Sequence, residues 1–285
     1  MEIIMNEKIG IVGMGFVGNA IYEGMKHAFE ILTYDKQHER CNTDSLKSLL
    51  STVMGPIFIA LPTPMKRDGT CDLSTIENVL NTLDRSIEDN DNRIIIIKST
   101  VPPGTTAKFN QCYKNFTCVF NPEFLRESNF IEDFKNQDRI IIGGPHRATT
   151  IVKQMYQRAY PEVPTTKTSS TIAELVKYTT NCFLSVKVSF ANELYQICEK
   201  LEVDFDKVIE YSTKDKRLGT SHWAVPGPDG HFGFGLTCFP KDLNALILLA
   251  ETVGVDPKVM KAAWKKNLEV RPERDWEKLR DRAVS

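Results

Sequence analysis

Cysteine pairs of the CxxC type are absent from this 285-residue sequence, and so are HxxxH and HExxH arrangements. Its seven cysteines (Cys41, Cys71, Cys112, Cys118, Cys182, Cys198 and Cys238) are odd in number and scattered. A disulfide framework and a zinc site are therefore not expected, and no metal is assigned. No run of about 18 apolar residues occurs, so no transmembrane helix is expected. The opening residues, MEIIMNEKIGIVG, lack the arrangement of a secretory signal. Charge of one sign is lacking too. Lys and Arg number 36 against 37 Asp and Glu, a net charge of −1, which argues for neither a nucleic-acid nor a membrane partner. Reduced thiols in a cytoplasmic protein are the expected state.

Hydrophobic residues at 41% and charged residues at 26% describe an ordinary globular chain, long enough for two domains. In the first half, short apolar runs alternate with helical segments. KIGIVG, EILTYD, PIFIALP, RIIIIKST, TCVFNPEF and RIIIGG read as strands, with NAIYEGMKHAF as the first helix. This pattern predicts an α/β fold, a Rossmann-like doubly wound parallel sheet, over residues 1–165. An all-helical domain is expected over 166–270, followed by a charged tail over 271–285. One long helix begins near residue 165, with Thr171 and Glu174 spaced as a capping box. Its apolar positions recur through Ile172, Leu175, Val176, Phe183, Leu184, Val188, Leu194 and Ile197. A glycine- and proline-rich loop, 226–235, precedes a helix opened by Pro240.

Gly13-Met14-Gly15-Phe16-Val17-Gly18 fits GxGxxG between a strand and a helix, and Asp35 ends the next strand. Glycines there let a backbone approach a pyrophosphate, and a carboxylate can hold the adenosine ribose while repelling a 2′-phosphate. NAD is the expected cofactor, although Lys36 adjoins the carboxylate. A tight turn without ligand, with Asp35 as a turn residue, is the bland alternative. Three loops follow strands of the same sheet: Pro62-Thr63-Pro64, Ser99–Thr105 and Asn121–Glu127. Strand carboxyl ends are where such sheets bind ligands. Lys177 and Asn181 lie four apart on the long helix and share a face, as either a site or a solvated surface. Asn192 and Glu193 read as surface or packing residues. Cys238 sits between the glycine-rich loop and a helix start, a position that favours thiolate; a small buried cysteine is the alternative. Lys241 and Asp242 follow in the same turn.

Six segments in order, GMGFVG, LPTP, KSTVPPGT, NPEFLRES, AELVKYTTNCFLSVKVSFANE and GFGLTCFPKDL, resemble the UDP-glucose/GDP-mannose dehydrogenase family. The resemblance implies oxidation of the C6 alcohol of a nucleotide sugar, with UDP-glucose expected, to a carboxylate using two NAD. By resemblance Cys238 is the nucleophile that carries a thiohemiacetal and then a thioester. Lys177 stabilises oxyanion charge with Asn181 as its partner. Asp242 and Thr100 organise water and proton transfer, and Glu123 has an acid–base role. Gly13, Gly15, Phe16, Val17, Gly18, Asp35, Pro62, Thr63, Thr100 and Glu127 are expected at the cofactor. Glu123, Phe124, Leu125, Arg126, Lys177, Asn181, Phe234 and Gly235 are expected at the substrate, and Arg217 at the substrate of a neighbouring subunit. The helical domain is expected to form a homodimer, and polysaccharide precursor synthesis is the family's usual setting.

Two departures stand out. The sequence ends about 45 residues after Cys238, too few for the family's nucleotide-holding third domain of roughly 100 residues. The loop before the cysteine is long, with Leu236 where a second glycine is usual. Two other readings remain: a dehydrogenase of a smaller hydroxy acid, and an NAD-binding, dimerising module without catalysis of its own.

Overall fold

The computed structural model describes residues 8–87 and 93–285. Contacts divide the chain into two compact units, residues 1–63 with 73–177, and residues 64–72 with 178–285.

The first unit carries a seven-stranded sheet. In chain order its elements are β1 (Lys8–Val12), α1 (Phe16–Met25), β2 (Glu30–Tyr34), α2 (Leu46–Thr52), β3 (Ile57–Ile59), α3 (Ser74–Ser86) and β4 (Arg93–Ile97). Then come α4 (Thr105–Cys112), β5 (Phe116–Phe120), α5 (Phe130–Lys135), β6 (Ile140–Gly143), α6 (His146–Ala159) and β7 (Thr165–Thr168). The strand order is β2-β1-β3-β4-β5-β6-β7. Every pairing is parallel except β5 with β6, which meet antiparallel at Phe120 and Gly143. Side-chain alternation explains the isoleucine runs. Ile94 and Ile96 of β4 enter one core with Ile9, Ile11, Met25 and Tyr156, while Ile95 and Ile97 enter another with Leu49, Leu80 and Phe109. Both faces are covered, as a parallel sheet requires. The order reverses at β1, which has β2 on one side and β3 on the other. The carboxyl end of β1 is thus the switch point where such sheets bind ligands.

The second unit holds most of α7 (Ser170–Leu201), together with α8 (Phe205–Ser212), α9 (Phe239–Thr252), α10 (Lys258–Val270) and a short 3₁₀ turn at Asp275–Lys278. Tyr178, Cys182, Phe234, Leu243 and Ile247 form its core, with Phe239 and Trp264 against them.

Three sequence expectations differ from the structure. The division falls after Lys177 instead of near 165, because β7 adds Thr165–Thr168 to the sheet and the first turns of α7 pack with it. The expected charged tail is built into the second unit. Trp276 is buried, and the Met65 amide donates to the Ala283 carbonyl at 2.8 Å while the Ser285 amide donates to Met65 at 3.0 Å. The Thr171–Glu174 capping box does not form. Ser169 accepts from the Ile172 amide at 3.3 Å, and Glu174 instead serves α4. Among the described residues no helix is long and apolar enough to cross a membrane, and no group of three or more His, Cys, Asp or Glu could hold a metal ion.

Candidate active site

The glycine turn joins β1 to α1. Gly13 has φ +96°, and a Cβ there would stand 2.5 Å from the Ala60 carbonyl. A Cβ on Gly18 would stand 1.9 Å from the Gly13 carbonyl, so α1 can approach the turn only over glycine. Around Gly15 there is open space within 4 Å, which leaves the backbone accessible to a ligand. Phe16 and Val17 open α1, whose first turn carries no carboxylate to compete with an anion. Asp35 accepts from the Met14 amide at 2.7 Å through one oxygen and from the Gln37 amide at 2.9 Å through the other. It therefore shapes the turn, and each oxygen keeps a lone pair for a ribose hydroxyl.

The loops after β3 and β4 are tied together. Thr63 donates to the Thr100 carbonyl at 2.8 Å, and Ser99 accepts from the Leu61 amide at 2.9 Å. Thr100 is buried. These bonds fix the backbone that follows both strands.

A buried charge cluster follows β5. The Lys177 ammonium meets Glu123 Oε1 at 2.8 Å and donates to the Glu123 carbonyl at 2.7 Å. Glu123 Oε2 accepts from the Leu125 amide at 2.7 Å. Burial pushes the Glu123 carboxyl up, but the charge and hydrogen bond of Lys177 outweigh it and hold the group below its ordinary value. Lys98 joins from the end of β4, with Nζ donating to Asn121 Oδ1 at 3.1 Å and to the Pro122 carbonyl at 3.2 Å. Burial, aided by the like charge of Lys177, brings Lys98 down to about 7 against the pull of Glu123. Phe124 lies between cations, with Lys177 Nζ at 5.6 Å and the Arg139 guanidinium at 4.4 Å from its ring centre.

The second unit carries a separate polar cluster. Cys238 occupies the N-cap position of α9, with Pro240 in the first turn. The Asn181 amide donates to Asp242 Oδ2 at 2.6 Å, and the Lys241 ammonium meets Asp242 Oδ1 at 2.5 Å. Burial opposes the charge on Lys241, yet its electrostatic interactions with Asp242, Cys238 and Cys71 prevail and raise its pKa. A lysine kept charged among thiols and a buried carboxylate can hold a thiolate or an oxyanion in place.

The family's NAD binding domain matches residues 43–160, and its central domain matches residues 171–269. The chain belongs to the UDP-glucose/GDP-mannose dehydrogenase family. It is similar to UDP-glucose 6-dehydrogenase TuaD of Bacillus subtilis (35% identity, 74% of this chain and 46% of that protein). It is also similar to the UDP-glucose 6-dehydrogenase of Rickettsia bellii (34%, 82% and 54%). The chain thus spans about half the length of the curated relatives it matches. A solved UDP-glucose dehydrogenase from Pyrobaculum islandicum superposes with TM-score 0.83 at 29% identity, covering 99% of this chain and 72% of that one. A 3-hydroxyisobutyrate dehydrogenase from Mycobacterium tuberculosis shares the fold over 95% of both chains (TM-score 0.73, 13% identity).

Within this family member several expected site residues have other occupations. Phe234 is buried in the core against Phe239 and Trp264, with its backbone held on both sides by Asn267. Gly235 lies against the Arg271–Asp275 ion pair, which a Cβ there would meet. Arg126 is exposed and forked onto Asp133, and Arg217 is exposed and forked onto Asp215. Glu127 is half-buried after β5.

Sequence reasoning passed over Lys98, named Lys241 without a role and gave Glu174 only to a capping box. Lys98 had a signal: a lysine ending an apolar strand that is covered on both faces. Glu174 accepts from the Gly104 amide at 2.6 Å and the Thr106 amide at 2.8 Å, seventy residues away for Gly104, which no local pattern encodes.

Proposed function

We propose that this chain binds NAD at the β1–α1 turn and oxidises the C6 alcohol of a nucleotide sugar, UDP-glucose, to a carboxylate through Cys238. The observation that carries this reading is the Asn181–Asp242–Lys241 network, which ties α7 to the first turn of the helix that begins after Cys238, in a chain of this family. NAD supplies the hydride acceptor for each of two oxidations. The accessible Gly15 backbone, the carboxylate-free first turn of α1 and the spare lone pairs of Asp35 fit its pyrophosphate and ribose.

The side chains do the rest. A base takes the hydroxyl proton as the first hydride leaves, giving an aldehyde-level carbon. The Cys238 thiolate adds to that carbon, and the carbonyl electron pair moves to oxygen, where Lys177 and Asn181 offer a cation and an amide donor. Loss of the second hydride and the hydroxyl proton gives a thioester. Water adds, the carbon–sulfur bond breaks, and the carboxylate is released with the thiolate restored. Glu123 moves protons, while Thr100 and Asp242 order the water. The single oxidation of a small hydroxy acid needs no acyl carrier, so the fold shared with a 3-hydroxyisobutyrate dehydrogenase does not favour that alternative.

The same reading makes α7 the helix of a homodimer. Phe183, Phe190 and Ile197 repeat every seven residues, Leu201 follows one turn on, and all four are exposed.

The test is NADH formation by the purified protein with UDP-glucose, GDP-mannose and UDP-N-acetylmannosamine. Turnover with UDP-glucose is expected, and Cys238→Ser should lower carboxylate formation by at least about a thousandfold. A folded, NAD-binding sample inactive on all three sugars would sink the reading.

A further inference from the structure

Two lysines hold the loop that carries Glu123. Lys177 Nζ binds the Glu123 carboxylate at 2.8 Å and the Glu123 carbonyl at 2.7 Å, and Lys98 Nζ donates to the Pro122 carbonyl one residue earlier at 3.2 Å. Both lysines are buried. The cluster therefore keeps two cations and one anion from water, an excess of one positive charge. Excess buried charge is costly, and the cation without a carboxylate contact is the one that gives it up. Lys177 has that contact. The bonds of Lys98 go to neutral oxygens, Asn121 Oδ1 at 3.1 Å and the Pro122 carbonyl. An ammonium carries three hydrogens and a neutral amine two, so both bonds survive loss of the third proton. Two more elements bring uncharged groups to this end of the cluster. From α6 the Tyr156 hydroxyl donates to the same Asn121 oxygen at 2.5 Å, and burial pushes its pKa up, which keeps it protonated. From α5 the Phe134 ring stands with its centre 5.6 Å from Lys98 Nζ. Burial, with the like charge of Lys177, outweighs the pull of Glu123 and brings Lys98 down to about 7.

Resting on the function proposed above, we propose that Lys98 is a positioning residue that acts through Glu123: its neutral form is the competent one, because only then can Glu123 take the substrate's hydroxyl proton without leaving two buried cations and no anion. While Lys98 is charged, two cations stabilise the Glu123 carboxylate, and it is a weak base. Lys98 gives its proton to water before the reaction, and its bonds to Asn121 and Pro122 keep the loop in place. Glu123 then takes the hydroxyl proton as the hydride leaves. One cation, Lys177, remains beside the protonated carboxyl, free to face the charge that develops on oxygen. Lys98 itself touches no reacting atom in this scheme.

The test is the pH dependence of kcat for UDP-glucose in the wild type, Lys98→Met and Lys98→Arg. The wild type should break at about 7, running about tenfold slower one pH unit below the break than on its alkaline plateau. Lys98→Met carries no charge and should lose that break, staying flat within about twofold across the same range. Lys98→Arg is charged at every pH and should stay about tenfold or more below the wild-type plateau throughout. A break in Lys98→Met equal to that of the wild type overturns the proposal, and so does Lys98→Arg reaching the wild-type plateau. If the wild type oxidises no nucleotide sugar, the functional reading has failed; then, or if the Lys98 variants turn over too poorly to profile, a measurement free of turnover decides this inference. The Lys98 Cε resonance in ¹³C-lysine-labelled protein, assigned by its loss in the Lys98 variants, is followed against pH in the wild type and in Glu123→Gln. It should titrate near 7 in the wild type and about one pH unit or more lower in Glu123→Gln, where no carboxylate favours the ammonium. A Lys98 that titrates at its ordinary value, or a midpoint that Glu123→Gln leaves unmoved, overturns the proposal.

Discussion

Lys98 ends an isoleucine strand and carries its ammonium into the protein beside Lys177 and Glu123. Burial makes the charged form costly, and two oxygen acceptors compensate only in part. The folded pKa of about 7 lies below the ordinary 10.5, so the unfolded chain holds the extra proton between those values. Native stability therefore rises with pH through this window and is lost as pH falls towards 7. Replacing Lys98 with methionine removes that dependence. Denaturant unfolding at pH 7, 8 and 9 should show wild type gaining on Lys98→Met, with a limiting slope of about 1.4 kcal/mol per pH unit. A constant gap would contradict the assignment. Residues at this scale were unevenly legible. The GxGxxG turn and Asp35 stand out through local spacing, whereas local sequence leaves Cys238 open between a buried thiol and a nucleophile and only the family resemblance gives it a role. The partners of Lys98 come from the next strand and loop, and nothing in the spacing of Lys98 and Asn121 joins them.

Among the elements, α7 shows how a correct pattern can point the wrong way. Its helical period is plain in the sequence, yet Ile172, Phe183 and Ile197 face outward while Glu174, Ser185 and Asn192 are buried. The inward face is polar because it carries hydrogen-bonded networks, and periodicity alone does not say which face is covered. Glu174 is the sharpest case. It resembles a capping residue for its own helix, but its carboxylate closes the N-terminus of α4, where Gly104 is the cap residue with φ +96°. This bond fixes the backbone just after Thr100 to the turn of α7 that precedes Lys177. Glu174→Ala should cost about 1–3 kcal/mol in denaturant unfolding, because two buried amides lose their acceptor. A change below about 0.5 kcal/mol would mean that the amides find other partners. The doubly wound sheet, by contrast, was legible almost strand by strand, because buried parallel strands leave continuous apolar runs. The missed strand, Thr165–Thr168, is a polar edge strand and leaves no such run.

At the scale of the whole molecule, the outward stripe of α7 bears on assembly. Phe183, at 65% exposure, and Phe190, at 56%, are large apolar side chains for an exposed helix face. A homodimer that covers them should give a mass of twice 32.3 kDa in solution. Phe183→Asp with Phe190→Asp should shift it to monomer in sedimentation, while an unshifted dimer would place the interface elsewhere. The domain division was legible only coarsely. The change from strand pattern to helix pattern near residue 165 is real, but one continuous helix crosses the boundary between the units, and segment 64–72 joins the second unit through Met65. Such a pairing between distant segments leaves no mark on local composition. In the proposed function Cys238 serves as an acyl carrier and so links the two oxidations. The most direct measurement is the number of NADH formed per UDP-glucose consumed, run to completion with limiting sugar and excess NAD. Two NADH per sugar, with UDP-glucuronate as the product, is the expected result. One NADH per sugar, with the aldehyde released and Cys238→Ser equally active, would contradict it.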